Sequence, residues 1–171
     1  MISGKMQEAI NQQINAELYS SYLYMSMAAY FEHLQLPGFC HWMKVQAQEE
    51  LAHAVRFYNY LSERGGRALM AAIEAPPTEW ESPRECMQAV LDHERKVTGL
   101  INQLMNLAQD ERDHASMSFL QWFVDEQVEE EASVDAILGK LNLIQSAPGG
   151  LFMLDNEMGS RSFTMPVDLK L

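Results

Sequence analysis

The chain is poor in cysteine, proline and positive charge, and each shortage removes a class of explanation. Its two cysteines, Cys40 and Cys86, lie far apart and form no CxxC pair. That excludes a disulfide framework and fits buried thiols in a reducing cytosol. Lys and Arg number 12 against 24 Asp and Glu, with no basic tail, and the net charge is −12. Such a balance disfavours nucleic acid and acidic membrane surfaces and favours cations. No apolar run approaches the roughly 18 residues of a membrane span, and the first residues lack the apolar core of a signal peptide. A cytoplasmic location without membrane contact is the expectation. Strand-like alternation is missing too. What remains is 171 residues, 47% of them hydrophobic, enough for one domain with a substantial core. The 12 methionines are scattered along the chain and read as packing filler rather than a copper site.

The few prolines and glycines punctuate a helical pattern. A first helix is predicted from about Gly4 to Leu34, closed by Pro37-Gly38, and a second from about Phe39 to Arg64, closed by Gly65-Gly66. A mixed segment, 67–81, follows. Ser82-Pro83-Arg84-Glu85 then combines a capping serine, a first-turn proline and a glutamate three residues after the serine, a strong helix start. The third helix is predicted to reach about Asp110. After an acidic turn, a fourth runs to about Gln145, ended by Ala147-Pro148-Gly149-Gly150. A short amphipathic piece, Leu151 to Met158, precedes a tail, so 1–158 reads as one domain and 159–171 as an appendage. Helices of about 27 residues are roughly 40 Å long. Two tight connections and one long one specify an all-α four-helix bundle with a long crossover between helices two and three, plus a short fifth helix.

Against this background one pattern is unexpected. Phe39, Met43, Gln46, Glu50, His53, Phe57 and Tyr60 recur at steps of three and four, which places them on one helix face. The face is apolar at both ends but carries a carboxylate and an imidazole in its middle. Glu17 lies in line with Ile10, Ile14, Tyr24 and Ala28; Glu94 with Met87, Val90, Val97, Ile101 and Leu104; Gln127 and Glu130 with Leu120, Phe123, Val134, Ile137 and Leu141. Midpoints of the four predicted helices fall near Tyr19, Leu51, Lys96 and Glu129. In an antiparallel bundle those midpoints share a depth, so Glu17, Glu50, His53, Glu94, Gln127 and Glu130 converge on one inner layer.

Ionised groups are costly to bury unless paired or metal-bound. No Lys or Arg occupies the stripes at this level. Several carboxylate oxygens with one imidazole suit iron, manganese or zinc better than copper(I). Glu50 and His53, three residues apart, are able to ligate one ion. Glu50 is the natural bridge between two ions, which in two-metal sites stand roughly 3.5–4 Å apart. An isolated Glu-x-x-His is a weak signal; four matched helices make it strong.

These residues sit in strings that resemble the bacterial non-haem ferritins: Asn15-Ala16-Glu17-Leu18-Tyr19-Ser20-Ser21-Tyr22-Leu23-Tyr24, Gln48-Glu49-Glu50-Leu51-Ala52-His53, and the run from Phe119 through Trp122, Glu126, Gln127, Glu129 and Glu130 to Glu131. The likeness extends from Met6 to about Glu157. Ferritin-like di-iron bundles are themselves the type case for this carboxylate and Glu-x-x-His arrangement, so pattern and resemblance are not independent. The resemblance implies an iron-storage protein, a homo-oligomeric shell of 24 subunits that oxidises iron(II) with dioxygen or peroxide at a di-iron centre and deposits ferric mineral inside. It implies Glu17, Glu50 and His53 at the first iron, and Glu50, Glu94 and Glu130 at the second. Gln127 would lie alongside for hydrogen bonding, and Tyr24 beside the centre as an electron or hydrogen-bond donor. Glu49, Glu126 and Glu129, with Glu130 shared, match a third iron position; an ordinary acidic helix face is the plain alternative for them.

Haem is not expected, because the fourth helix reads Gln127-Val128-Glu129-Glu130 rather than a second Glu-x-x-His, and Leu51 and Ala52 fill the first motif where haem-binding relatives carry methionine. The absence of CxxC argues against a rubrerythrin. Asp110, Glu111, Asp113 and His114 cluster at the third interhelix turn; in ferritins that region lines threefold pores, and a solvated turn is the alternative. His33, His41 and His93 are expected to be structural or at the surface. Two other functions share the pattern: a dimetal peroxidase or oxygenase without a storage cavity, and a helical binding protein whose polar layer only fixes register.

Overall fold

The computed structural model describes residues 1–144, 147, 149–166 and 169. Five helices follow in order: α1 Gly4–His33, α2 Pro37–Glu63, α3 Pro83–Asp110, α4 His114–Ile144 and α5 Gly150–Met158. No strand occurs among the described residues. The all-α expectation and the order of elements therefore hold. Helix α2 begins two residues earlier than the sequence predicts, because Pro37 supplies its first turn. The expected end of the fourth helix at Gln145, the Pro148 of the following turn, and Val167, Asp168, Lys170 and Leu171 of the tail lie outside the described residues.

Local chemistry sets each start. Ser3 Oγ accepts from the Met6 backbone N–H at 3.0 Å, and Ser82 Oγ accepts from the Glu85 N–H at 3.2 Å; both caps satisfy a donor that the helix leaves unpaired. The predicted capping box is formed on the serine side, while the Glu85 carboxylate accepts from Arg84. Asp113 caps α4 by accepting from the Ser116 N–H at 3.2 Å. It also receives Arg64 Nη2 at 3.0 Å. Asp113 is thus committed to the turn itself, which favours the structural reading of this acidic residue. The two tightest turns use left-handed backbone at Gln35 and Arg112, with no glycine at either, whereas Gly65, with φ 75°, closes α2.

Cross-links fix the topology. Ser3 donates to Glu111 at 2.5 Å, and Arg64 pairs with Asp113. The start of α1, the end of α2 and the α3–α4 turn therefore share one end of the bundle. At the other end, Arg84 at the start of α3 donates to Asn142 near the end of α4. Helices α2 and α3 run parallel in consequence, and the connection between them must travel the bundle's length. It does so along α1, whose polar side chains hold it: Asn11 to Leu69 N–H at 2.7 Å and to Arg67 carbonyl at 3.1 Å, Asn15 to Ala72 carbonyl at 3.2 Å, and Ser26 to Pro77 carbonyl at 2.6 Å.

The core is divided in two. One half gathers Leu23, Phe31, Phe39, Met43, Met87, Val90, Val134 and Leu141. The other gathers Ile10, Ile14, Phe57, Leu61, Ile101, Leu104, Leu120 and Phe123. On every long helix the gap between the halves falls at the residues singled out above: Glu17 on α1, Glu50 and His53 on α2, Glu94 on α3, Gln127 and Glu130 on α4. Stacked rings, such as Phe57 on Phe123 with centroids 4.1 Å apart and Phe31 on Phe39 at 5.0 Å, pack the two halves on either side of the layer.

Helix α5 seals the end of the bundle. Asp155 is buried, and its Oδ1 accepts from the Phe39 N–H at 3.0 Å, capping the open first turn of α2. The contact requires glycine at position 38, since a Cβ there would lie 1.6 Å from the Asp155 carbonyl oxygen. Gly38→Ala is expected to cost at least the roughly 1–3 kcal/mol typical of overpacking, because the opposing atom is backbone. Guanidinium unfolding should show the lower midpoint and hydrogen exchange should show faster α5 amides; wild-type values in both would contradict this contact.

Candidate metal centre

The layer between the core halves is almost inaccessible to solvent. Glu17 and Glu94 are 1% exposed, Glu50 2%, Gln127 and Glu130 4%, and His53 6%. No Lys or Arg is among the buried polar residues described. Glu17, Glu50 and His53 form the tightest group, with one potential ligand atom from each lying within 4.8 Å of the other two. His53 Nδ1 stands 3.4 Å from Glu50 Oε2. Its ring sits edge-on to Trp122 and Phe123 at 5.5 and 5.8 Å, which restricts its tilt.

The remaining carboxylates are drawn in through amides and a phenol. Gln46 Nε2 donates to both Glu50 Oε1 at 3.1 Å and Glu130 Oε2 at 3.0 Å, joining α2 to α4. Gln127 Nε2 donates to Glu94 Oε2 and to the Glu94 carbonyl, each at 3.2 Å, joining α4 to α3. The Tyr24 hydroxyl donates to Glu94 Oε1, joining α1 to α3. Gln13 Nε2 donates to Glu17 Oε1 at 2.8 Å, and the other oxygen of Glu17 is buried with no hydrogen-bond partner. A buried carboxylate oxygen left without a donor is costly, and it points to a cation as the missing partner.

The electrostatics agree. Burial, and then repulsion from Glu50, pushes the Glu17 carboxyl up to about 8. Burial, and then the charges of Glu94 and Glu130, raises Glu50 well above the usual carboxylate range. Burial raises Glu94, and burial with repulsion from Glu94 brings Glu130 to about 7. The hydroxyl of Tyr24 is raised as well, by burial and by the neighbouring Glu94. A multivalent cation would reverse each of these by supplying the charge that the protein omits. The donor set of hard carboxylate oxygens and one imidazole fits iron, manganese or zinc.

The other candidates are placed less deeply. Glu49 and Glu126 are half-buried and Glu129 is exposed. Burial raises the Glu49 carboxyl, opposed first by Arg161, whose guanidinium Nη2 donates to it. His93 is turned from the layer: its Nε2 lies 2.7 Å from Ser20 Oγ and its ring packs between Tyr19 and Tyr24, while burial lowers it to about 4. That matches the structural role expected for it. Three contributors escape the sequence reading. Gln46 stood in the stripe without a role, Gln13 was not singled out, and Arg161 lies in the tail. A signal for the first two exists, since each glutamine precedes its glutamate by one helical turn: Gln13 to Glu17 and Gln46 to Glu50.

Fold and layer together define a helical bundle built around a carboxylate and histidine centre. Residues 7–144 match the family model for the ferritin-like domain, and the chain belongs to that family. It is 45% identical over 161 residues to the bacterial non-heme ferritin of Bacteroides fragilis (strain 638R), covering 94% of this chain and 100% of the relative. Two solved structures of Archaeoglobus fulgidus ferritin are similar throughout. One, an engineered closed form, has TM-score 0.94 and 52% identity, covering 96% of this chain and 100% of that one. The other, described as a novel open pore ferritin, has TM-score 0.93 and 51% identity, covering 95% and 100%. No described helix is long and apolar enough to cross a membrane.

The raised carboxyls give a sign for pH dependence. A carboxyl that holds its proton to higher pH when folded than when unfolded contributes stability at low pH, and loses it as pH rises through the folded value. For Glu130 and Glu17 that window runs from 4.5 to about 7 and about 8. The thermal midpoint of metal-free protein should therefore fall across it, fall less in Glu17→Gln, and be restored by zinc(II). A metal-free midpoint that climbs through the window would contradict the assignment.

Proposed function

We propose that this chain is an iron-storage protein with ferroxidase activity, oxidising iron(II) at the mid-bundle layer and passing ferric product to mineral inside a homo-oligomeric shell. The observation that carries the reading is the buried layer of four carboxylates and one imidazole between two apolar core halves, with no Lys or Arg among the buried residues described there. The shell of 24 subunits and a cytoplasmic setting are the arrangement that the bacterial non-heme ferritins lead us to expect.

Iron(II) is the substrate. In this reading Glu17, Glu50 and His53 hold one ion and Glu50, Glu94 and Glu130 the second, so Glu50 contributes to both. Each iron(II) gives one electron to dioxygen or peroxide. The chain's contribution is placement and charge. Hard, anionic oxygen ligands favour iron(III) over iron(II) and so assist oxidation. Gln46 and Gln127 keep Glu50, Glu94 and Glu130 turned inward, and Tyr24 holds Glu94 while standing near enough to supply a hydrogen bond or an electron. The two core halves exclude bulk water, which strengthens attraction between the carboxylates and a cation. Protons displaced from the raised carboxyls leave as the cations arrive. In the same reading Glu49, Glu126 and Glu129, with Glu130 shared, supply a third iron position, shallower than the other two because Glu49 and Glu126 are half-buried and Glu129 is exposed. No haem is expected in this account.

Glu50→Ala and His53→Ala should each slow oxygen-dependent iron(II) oxidation by at least about tenfold, while native mass remains that of the assembled wild type. Stopped-flow absorbance under air, with native mass measured alongside, checks both. Wild-type rates in either variant would refute the assignment of the centre.

A further inference from the structure

Arg161 lies just beyond α5, yet four positions of α2 hold it. Its Nη2 donates to the Glu49 carboxylate, and its Nη1 donates to Gln46 Oε1 at 2.5 Å. The guanidinium lies 4.3 Å from the centroid of the Trp42 ring, and the Arg161 carbonyl accepts from His41 Nε2 at 2.8 Å. The Arg161 and Glu49 side chains are 20% and 18% exposed, so this is not a freely solvated surface pair.

The contact with Gln46 links this pair to the deep layer. Gln46 is fully buried. Its amide oxygen faces Arg161, and its amide nitrogen faces Glu50 and Glu130. Holding the oxygen on a guanidinium fixes which end of the amide meets the carboxylates. One side chain of the tail thus sets the orientation of the group that joins two of the deep carboxylates, and places its positive charge where Glu49 and Glu126 repel each other.

We propose that Arg161 is a tethered counter-ion that fills the third cation position in the metal-free protein, and that its departure when a cation binds there loosens Gln46 from Glu50 and Glu130. The inference rests on the third-site reading of Glu49, Glu126, Glu129 and Glu130. A divalent ion brings twice the guanidinium's charge to Glu49 and repels it. The segment around Arg161 is then released, and Gln46 loses the contact that orients it. Filling of the shallow position and alignment of the deep pair are coupled, and by linkage each alters the affinity of the other.

Assembled, metal-free protein would be titrated calorimetrically with zinc(II), which is redox-inert, using wild type, Arg161→Gln, Arg161→Lys and Glu49→Gln. Hydrogen exchange of amides 160–165 would be followed with and without zinc. Arg161→Gln should bind the shallow ion about tenfold more tightly, a gain of about 1.4 kcal/mol, and the deep ions more weakly. Arg161→Lys should keep the wild-type shallow affinity but share the deep loss, because one ammonium does not reproduce the fork to both Gln46 and Glu49. Zinc should speed exchange at 160–165 in wild type and not in Glu49→Gln. If Glu49→Gln binds one ion fewer than wild type while Arg161→Gln leaves every affinity unchanged, the role given to Arg161 is wrong. If Glu49→Gln and wild type bind equal numbers of ions, the third-site reading fails first and the proposal falls with it.

Discussion

Carboxylates packed side by side out of water repel one another and lose their hydration, and the rest of this molecule follows from accommodating four of them. Glu17, Glu50, Glu94 and Glu130 come from four different helices, so no local rearrangement separates them without unpacking the bundle. The protein provides neutral donors in place of positive charge: Gln13, Gln46, Gln127 and Tyr24 each give a hydrogen bond to a carboxylate. These partners orient the acids without neutralising them. An acid layer oriented in this way holds a standing attraction for multivalent cations, and the unpartnered oxygen of Glu17 is its most direct sign.

The apolar halves of the core make this possible. Because each half packs across all four long helices, the layer between them is held by hydrophobic contacts that do not depend on its charge state. The cross-links at the two bundle ends serve the same purpose, since a shift of one helix along its axis would carry its acid out of the layer. Ser3 to Glu111 and Arg64 to Asp113 pin one end; Arg84 to Asn142 and Asp155 to the start of α2 pin the other. The extended crossover, tied to α1 by Asn11, Asn15 and Ser26, allows α2 and α3 to run parallel and deliver Glu50 and Glu94 to the same depth.

Much of this was legible in the residues because the relevant signals are local or periodic. Proline and glycine mark helix ends within a few residues, and steps of three and four mark the inner faces. Equal depth then follows from antiparallel packing, which brings Glu17, Glu50, His53, Glu94 and Glu130 into one layer. What escaped had no periodic signature. Gln13 and Gln46 are uncharged and look like ordinary stripe members. Arg161 reaches Gln46 and Glu49 only because α5 folds back over the start of α2, a tertiary event that α2 itself does not encode. Gln35 and Arg112 take left-handed backbone at turns whose sequence offers no glycine, so the exact turn geometry depends on the helices they join.

The most direct test of a cation-binding layer is anomalous diffraction from crystals of the metal-free protein soaked anaerobically in iron(II). The account predicts ordered iron among Glu17, Glu50, His53, Glu94 and Glu130, with the Glu50 carboxylate shared between two ions. Well-ordered side chains at those five positions with no anomalous density between them would contradict it.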